Sequence, residues 1–526
     1  MNNEPSITMD QSVSGEQVSV RPKTTTENPS QINARRVQNV LLIWLDNESN
    51  NNSADCQNTI SQLRQAVNDI NRFNDGEECM QFIDNITDTK ACMIVSGSLG
   101  QDIVPRIHNM PQVDSIFIFC RDQKHHEQWV KDWPKIRGVF TEISPICIAL
   151  KQAAQQCEQN AISISFVTTG GDISKKNLDH LDPIFMYTQI LKEILLTIKF
   201  DDEHIEQFLH HCRDVFADND RELNNVAKLQ TQYHTKTPIW WYTCESFLYP
   251  MLNRNLRVID MDIIIKMGFF ITDLHRHIEQ LHSEQFTDDN NTSQIFSVYR
   301  GQGMSTTEFD QMTKTQGGLM SFNNFLSTSK DRQVSLGFAR RALPNMDMVG
   351  IFFVMTIDPA QSTTPFASTA DVGYYGDKEG EVLFSMRTVF RIGDITPMAE
   401  NPRLFQVNLT LTSDSDPDLC VLTDRIREES YPEDEGWYRL GSLLLKMGES
   451  AKAQQIYETL LEQTTNMGEK ARIFHMLGWS RDDQGEYQEA ITFYEKALEI
   501  YQKTLSPTDL SLANCYHDIG VVYGEM

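Results

Sequence analysis

The stretch Gly376-Asp377-Lys378-Glu379-Gly380-Glu381-Val382-Leu383-Phe384 places two glutamates two residues apart at the head of an apolar run. In extended backbone, alternate residues share a face, so this spacing predicts two carboxylates projecting into one cleft. The preceding residues 368–376 are rich in Gly, Ser and Asp, carry Tyr374 and Tyr375, and read as a loop. Taken alone, Glu-Gly-Glu is charged punctuation. Around it lie short apolar runs at 296–300, 325–328, 350–357, 389–392 and 405–411, separated by Gly, Ser and Asp. Short runs with turn signals between them predict a mostly antiparallel β-core over 290–415.

Two further segments of that core carry chemistry. Val298-Tyr299-Arg300-Gly301-Gln302-Gly303 ends a β-type run on an arginine followed by a glycine-rich turn, and a guanidinium suits bidentate contact with a phosphate. Phe325-Leu326-Ser327-Thr328-Ser329 follows two apolar residues with three hydroxyls. Ser327 and Ser329 share a face there and can hydrogen-bond a ligand or orient a carboxylate. Each segment alone is a common edge or loop pattern.

In the order Arg, Ser-Thr-Ser, Glu-x-Glu, the three segments resemble the R-S-E signature of arginine-specific mono-ADP-ribosyltransferases, the clostridial-toxin-like and vertebrate ecto-enzyme class. Flanking text resembles the family too: Tyr242-Thr243, Tyr249 and Asn253-Arg254-Asn255-Leu256-Arg257 before the Arg strand, Phe338-Ala339 after the Ser motif, and Val389-Phe390 beyond the last strand. The resemblance spans about residues 235–415. It implies an α+β domain with a β-core and the activity of an NAD(P)⁺–protein-arginine ADP-ribosyltransferase, with NAD⁺ as co-substrate and no metal. It puts Glu381 beside the ribose cation that forms as nicotinamide leaves, and Glu379 beside the acceptor guanidinium. Ser327 would fix Glu381, Arg300 would hold the NAD⁺ phosphates, and Gly301, Thr328 and Ser329 would complete the cofactor-binding set. The same residues serve an NAD⁺ glycohydrolase, which uses water as acceptor. A non-catalytic scaffold with a transferase-like fold is a third reading. The extracellular members of the class usually carry disulfides; Cys244 has no evident partner.

Outward from that core the chain changes character. Residues 1–37 are polar and poor in large apolar side chains, which predicts a disordered leader. Residues 38–170 alternate strand-like and amphipathic runs, with strands expected at 40–45, 91–95, 115–120, 139–143 and 162–167. Ser144-Pro145 reads as the start of a helix over 146–157. This alternation predicts a doubly wound α/β domain of receiver or flavodoxin type. Asp46, at the end of the first strand, reads as a cap or loop residue. Residues 177–285 read as helices leading into the core, and their histidines (204, 210, 211, 275, 277, 282) as helix-surface residues with no metal-ligand spacing. Over 435–526 an internal repeat appears: Gly441, Gly448, Ala453 and Tyr457 recur 37 residues later as Gly478, Gly485, Ala490 and Tyr494. With Leu477-Gly478 and the phrase from Tyr487 to Leu498, this resembles tetratricopeptide (TPR) repeats of the kinesin-light-chain type. A third unit, around Tyr516 and Ile519-Gly520, is incomplete at Met526, which suggests a fragment or a missing final helix. The whole order of domains resembles the multidomain transferases of bdelloid rotifers.

The chain has 526 residues and a formal net charge of −27. Without a Lys/Arg cluster to neutralise phosphates, nucleic acid is disfavoured as a main partner. The expected partners are acceptor proteins with exposed arginine and a protein ligand of the TPR groove. Ten scattered cysteines without a CxxC, no apolar leader and no membrane-length apolar run predict a cytoplasmic protein with reduced thiols and no membrane partner.

Overall fold

The computed structural model describes residues 37–47, 54–168, 183–286, 294–360, 364–376, 380–413, 415–428 and 436–526. The chain divides into a unit of Met1–Arg36 and a unit of Val37–Met526. The polar leader, apart from Val37, lies outside the described residues, and so does Glu379.

All six residues of β1 (Val40–Leu45) are buried, as a strand covered on both faces requires. It pairs in parallel with β2 (Ile70–Phe73) and β3 (Lys90–Ser96), and β4 (Val113–Phe119) and β5 (Ile136–Phe140) follow, in the order β2-β1-β3-β4-β5. Helices α1 (Ala54–Leu63), α2 (Gly76–Asp84), α3 (Gly97–Ile107), the short α4 (Gln123–His126) and α5 (Ile143–Asn160) connect the strands. Two apolar clusters, one around Leu41, Ile43 and Val104 and the other around Leu42, Phe117 and Leu150, fill opposite faces of the sheet. This is the doubly wound architecture expected, in flavodoxin-like strand order. Two details differ. The cap of α5 is Glu142, and Ser144 sits inside the first turn. The run at 162–167 forms β6 (Ile164–Val167), which leaves this sheet and pairs antiparallel with β8 (Leu319–Phe322) of the next. Strand propensity gave its type; only long-range pairing decides which sheet takes it.

Seven helices follow: α6 (Pro183–Thr197), α7 (Asp202–Val215), α8 (Asp220–Gln232), α9 (Pro238–Thr243), α10 (Leu248–Val258), α11 (Met261–Lys266) and α12 (Gly268–Phe286). They share one large apolar core with Phe208, Tyr242, Phe270 and Leu274 at its centre. His275 is buried here rather than on the surface, bonded to Ser385 Oγ at 2.6 Å, and burial depresses its pKa to about 3.

The second sheet has nine strands, in the order β11-β12-β9-β7-β10-β14-β13-β8-β6, among the described residues. Its middle is β7 (Phe296–Ser305) against β10 (Met348–Ile357), with β9 (Leu326–Ser329) and β12 (Glu381–Phe384) on one side, then β11 (Phe366–Ser368) at the edge. On the other side β14 (Leu404–Leu411) runs parallel to β10, and β13 (Thr388–Pro397) antiparallel to β14. Helices α13 (Thr306–Lys314) and α14 (Arg332–Arg341) follow β7 and β9. A Cβ on Gly301 would stand 1.7 Å from the Ser335 carbonyl oxygen, so only glycine lets α14 approach β7 this closely.

After α15 (Pro417–Glu428) come α16 (Gly436–Lys446), α17 (Ser450–Gln463), α18 (Met467–Asp483), α19 (Tyr487–Thr504) and α20 (Leu510–Glu525). The 37-residue repeat acquires a physical cause here. A Cβ on Gly441 would meet the Tyr457 ring at 2.6 Å, and one on Gly478 the Tyr494 ring at 2.6 Å. Each hairpin therefore seats a buried tyrosine against a glycine of its partner helix. Gly448 and Gly485 take φ of 74° and 75° after α16 and α18, the left-handed conformation that ends a helix. Leu440, Leu443 and Leu444 of α16 belong to the same apolar core as α6–α12, so the repeats are packed onto the body of the chain. No helix among the described residues is long and apolar enough to cross a membrane.

Candidate active site

The sheet brings the three motifs together. Strand β12 pairs with β9 in the register Glu381↔Ser329 and Leu383↔Ser327, and β9 lies beside β7 through Tyr299↔Ser329. Ser327 Oγ donates to Glu381 Oε1 at 2.5 Å, and Thr369 Oγ1 donates to Glu381 Oε2 at 2.9 Å. Both carboxylate oxygens thus have a hydroxyl partner, which fixes the plane of the group. Arg300 is 6% exposed. It donates from Nη1 to the Ser327 carbonyl at 2.7 Å, from Nε to Gln302 Oε1 at 2.9 Å and from Nη2 to the Gln159 carbonyl at 3.1 Å. Burial pulls its pKa down and the nearby Tyr249 and Tyr242 oppose that; a guanidinium starting above 12 stays charged.

These groups face a cleft of about 380 Å³ whose wall on the side of the second sheet includes Tyr249, Arg300, Ser327, Phe338, Arg341 and Glu381. The opposite wall comes from the first domain, with Lys151, Gln155, Glu158 and Gln159 of α5. Five basic side chains (Arg64, Lys151, Arg221, Arg300, Arg341) and four acidic ones (Glu158, Glu222, Glu245, Glu381) line it, in a chain with 46 basic and 73 acidic residues. The cleft is therefore richer in cations than the rest of the protein, which favours an anionic ligand. At its mouth Glu245 receives Lys151 Nζ at 2.7 Å and Tyr375 Oη at 3.0 Å. The Lys151 hydrogen bond is the main cause of the lowered Glu245 pKa.

Three residues expected at the cofactor are not among those that line this cleft. Gly301 pairs with Phe352 in the sheet, and its Cα faces the backbone of α14; packing explains this glycine. Thr328 is buried and donates to the Val382 carbonyl at 2.8 Å, because it points away from Ser327. Ser329 does share the face of Ser327, and its Oγ accepts from the Asp331 backbone at 2.9 Å, in the turn before α14.

The geometry adds further residues to the site. Gln302, two residues from Arg300, was legible by strand alternation. Thr369 was not, since the β11–β12 register that delivers it is long-range. Arg341 is exposed, lines the cleft and lies over the Phe338 ring at 4.7 Å; among the described residues no carboxylate pairs with it. Elsewhere, Cys92, Asp114 and Cys157 bring their ligand atoms within 4.8 Å of one another inside the first domain. All ten cysteines are free of disulfides, Cys244 included.

No curated protein sequence matches the chain. Among solved structures it is similar to Vis toxin, an ADP-ribosyltransferase from Vibrio splendidus, at 17% identity over 42% of this chain and 91% of that one, with a TM-score of 0.24. It is similar to the ADP-ribosyltransferase HopU1 of Pseudomonas syringae pv. Tomato at 14% identity over 43% and 97% of the two chains, TM-score 0.27. An ADP-ribosyltransferase from Clostridium botulinum gives 16% identity over 33% and 84%, TM-score 0.24. Likenesses of this size carry no weight for the chemistry, which rests on the site itself. Residues 434–503 and 471–526 match the family model described as tetratricopeptide repeat, the region where α16–α20 form the glycine-and-tyrosine hairpins.

Proposed function

We propose that this chain transfers ADP-ribose from NAD⁺ to arginine side chains of proteins and releases nicotinamide. The observation that carries the reading is the Glu381 carboxylate held by Ser327 at 2.5 Å and Thr369 at 2.9 Å in a cation-rich cleft. Loss of nicotinamide leaves an oxocarbenium-like ribose cation, and a carboxylate already oriented beside it lowers that barrier without reorganising. Arg300 spends three of its five N–H groups on the protein. The remaining two are free for a phosphate oxygen, and Arg341 supplies a second, more exposed guanidinium for the diphosphate. Glu379, two residues before Glu381, is the acceptor-facing carboxylate: it pairs with the incoming guanidinium, whose pKa above 12 makes it a poor nucleophile until oriented and deprotonated.

The test is incubation of the full chain with labelled NAD⁺ and agmatine. ADP-ribosyl-agmatine plus nicotinamide is the expected outcome. Free ADP-ribose with no agmatine adduct assigns the cleft to an NAD⁺ glycohydrolase, and unconsumed NAD⁺ overturns both.

A further inference from the structure

Helices α16, α18 and α20 line a second groove, of about 480 Å³. Arg472, His475, Trp479 and Asp482 form one stripe of α18, at the i, i+3, i+4 spacing that keeps side chains on one face, and Tyr494 and Asp518 face them. The two ends of the stripe differ. At one end Arg472 is stacked over Tyr438 at 3.9 Å. Ten residues on, about 15 Å along the helix, the polar groups are acidic. Asp518 is engaged by His475 Nε2 at 2.8 Å. Asp482 Oδ1 is shielded from solvent and has no hydrogen-bond partner. The cation next to it in sequence is turned away, since Arg481 pairs with Glu486 and Glu489. Burial, with Glu525, Asp518 and Asp483 nearby, raises the pKa of Asp482. A buried acceptor without a donor costs free energy that an incoming charged donor recovers. Beside Asp482 the half-buried Trp479 offers an aromatic ring, which suits a guanidinium or ammonium group.

We propose that this groove binds a basic peptide segment, an arginine- or lysine-bearing stretch of a partner protein, with Asp482 receiving the cation. The binding step uses none of the residues of the NAD⁺ cleft and stands or falls independently of the transferase reading. If both hold, the groove selects proteins of the same chemistry that the cleft modifies.

The probe is a fluorescein-labelled peptide Gly-Ser-Ala-Arg-Leu-Arg-Ala-Ser-Gly, read by anisotropy on the full chain without NAD⁺. Its counterpart carries Glu in place of both arginines. The basic peptide is expected to bind at least tenfold more tightly than the acidic one. Asp482→Asn should weaken it at least fivefold, whereas Glu462→Gln, on the exposed face of α17, should not. Equal binding of the two peptides, tighter binding of the acidic one, or equal loss in both variants overturns the proposal; the last outcome would report only general attraction to a chain of charge −27. A benzophenone version of the basic peptide, cross-linked to the unaltered chain, guards against a misfolded variant. Adducts within 472–518 support the groove, and adducts confined elsewhere reject it.

Discussion

Two glutamates two residues apart divide the proposed chemistry, and substitution separates them. Glu381→Gln keeps the shape of the side chain and removes its charge. Transfer and NAD⁺ hydrolysis should both fall by on the order of 10²–10³-fold or more, with the melting temperature nearly unchanged. Activity within tenfold of the unaltered chain would sink the role given to Glu381. Glu379→Gln should act differently, because water needs no guanidinium partner. Transfer to agmatine should be lost while much of the hydrolysis remains; equal loss of both would remove the division of labour. Glu379 lies outside the described residues. The sequence carried Glu381 and its partner Ser327, because each opens or sits in a short strand whose alternation sets its face. It could not carry Thr369, whose hydroxyl reaches Glu381 only once β11 has paired with β12.

At the scale of elements, the contact of β7 with α14 gives a matched pair of substitutions. Gly301→Ala drives a methyl group into the Ser335 carbonyl, 1.7 Å from the ideal Cβ. The helix and strand must part, so stability should drop by about 1–3 kcal/mol or more, and activity with it, since β7 also carries Arg300. Gly337→Ala lies one residue from Phe338 on the same helix, and its Cβ meets nothing within 4 Å. There the helix should gain up to about 1 kcal/mol. Thermal melts of the two variants check the prediction, and a neutral Gly301→Ala would mean the close approach is not real. A glycine in Arg-Gly-Gln-Gly reads equally well as phosphate cradle or packing contact; the helix that decides between them arrives more than thirty residues later. In the repeats the reverse holds: Gly441 with Tyr457 and Gly478 with Tyr494 are local pairs, so their period was visible in the sequence.

At the scale of the molecule, the first domain is joined to the rest through buried polar groups. Glu158 of α5 accepts from the Asn39 backbone and side chain, both at 2.7 Å, and Arg257 Nε donates to Asn39 Oδ1 at 2.9 Å. Burial raises the Glu158 pKa from 4.5 to about 7, against the Asn39 bonds and the charges of Arg257 and Arg254. The folded chain therefore holds this proton more tightly than the unfolded chain. The stabilisation is complete below about 4.5 and is lost as pH rises through about 7. Against Glu158→Gln, which cannot ionise, the unaltered chain should lose on the order of 3 kcal/mol over that window. Chemical denaturation of both at pH 5 and pH 8 measures the difference; a pH-independent gap would mean that Glu158 titrates normally. Nothing in the sequence near Glu158 announces this, because its partners are supplied from residues 39, 254 and 257.

Strand β6 gives the nine-stranded sheet its outermost member among the described residues, although it lies before all seven helices that lead into that sheet. A chain cut at residue 235, where the motifs begin, would lack β6 and leave the backbone amides and carbonyls of β8 without their neighbour. An open row of that kind recruits other strands. Such a shortened chain should self-associate in size-exclusion chromatography, whereas one beginning at Val37 should not. Its failure in an activity assay would then report the bare sheet border together with the lost α5 wall of the cleft and the lost α6–α8 part of the apolar core, not the absence of Arg300, Ser327 or Glu381.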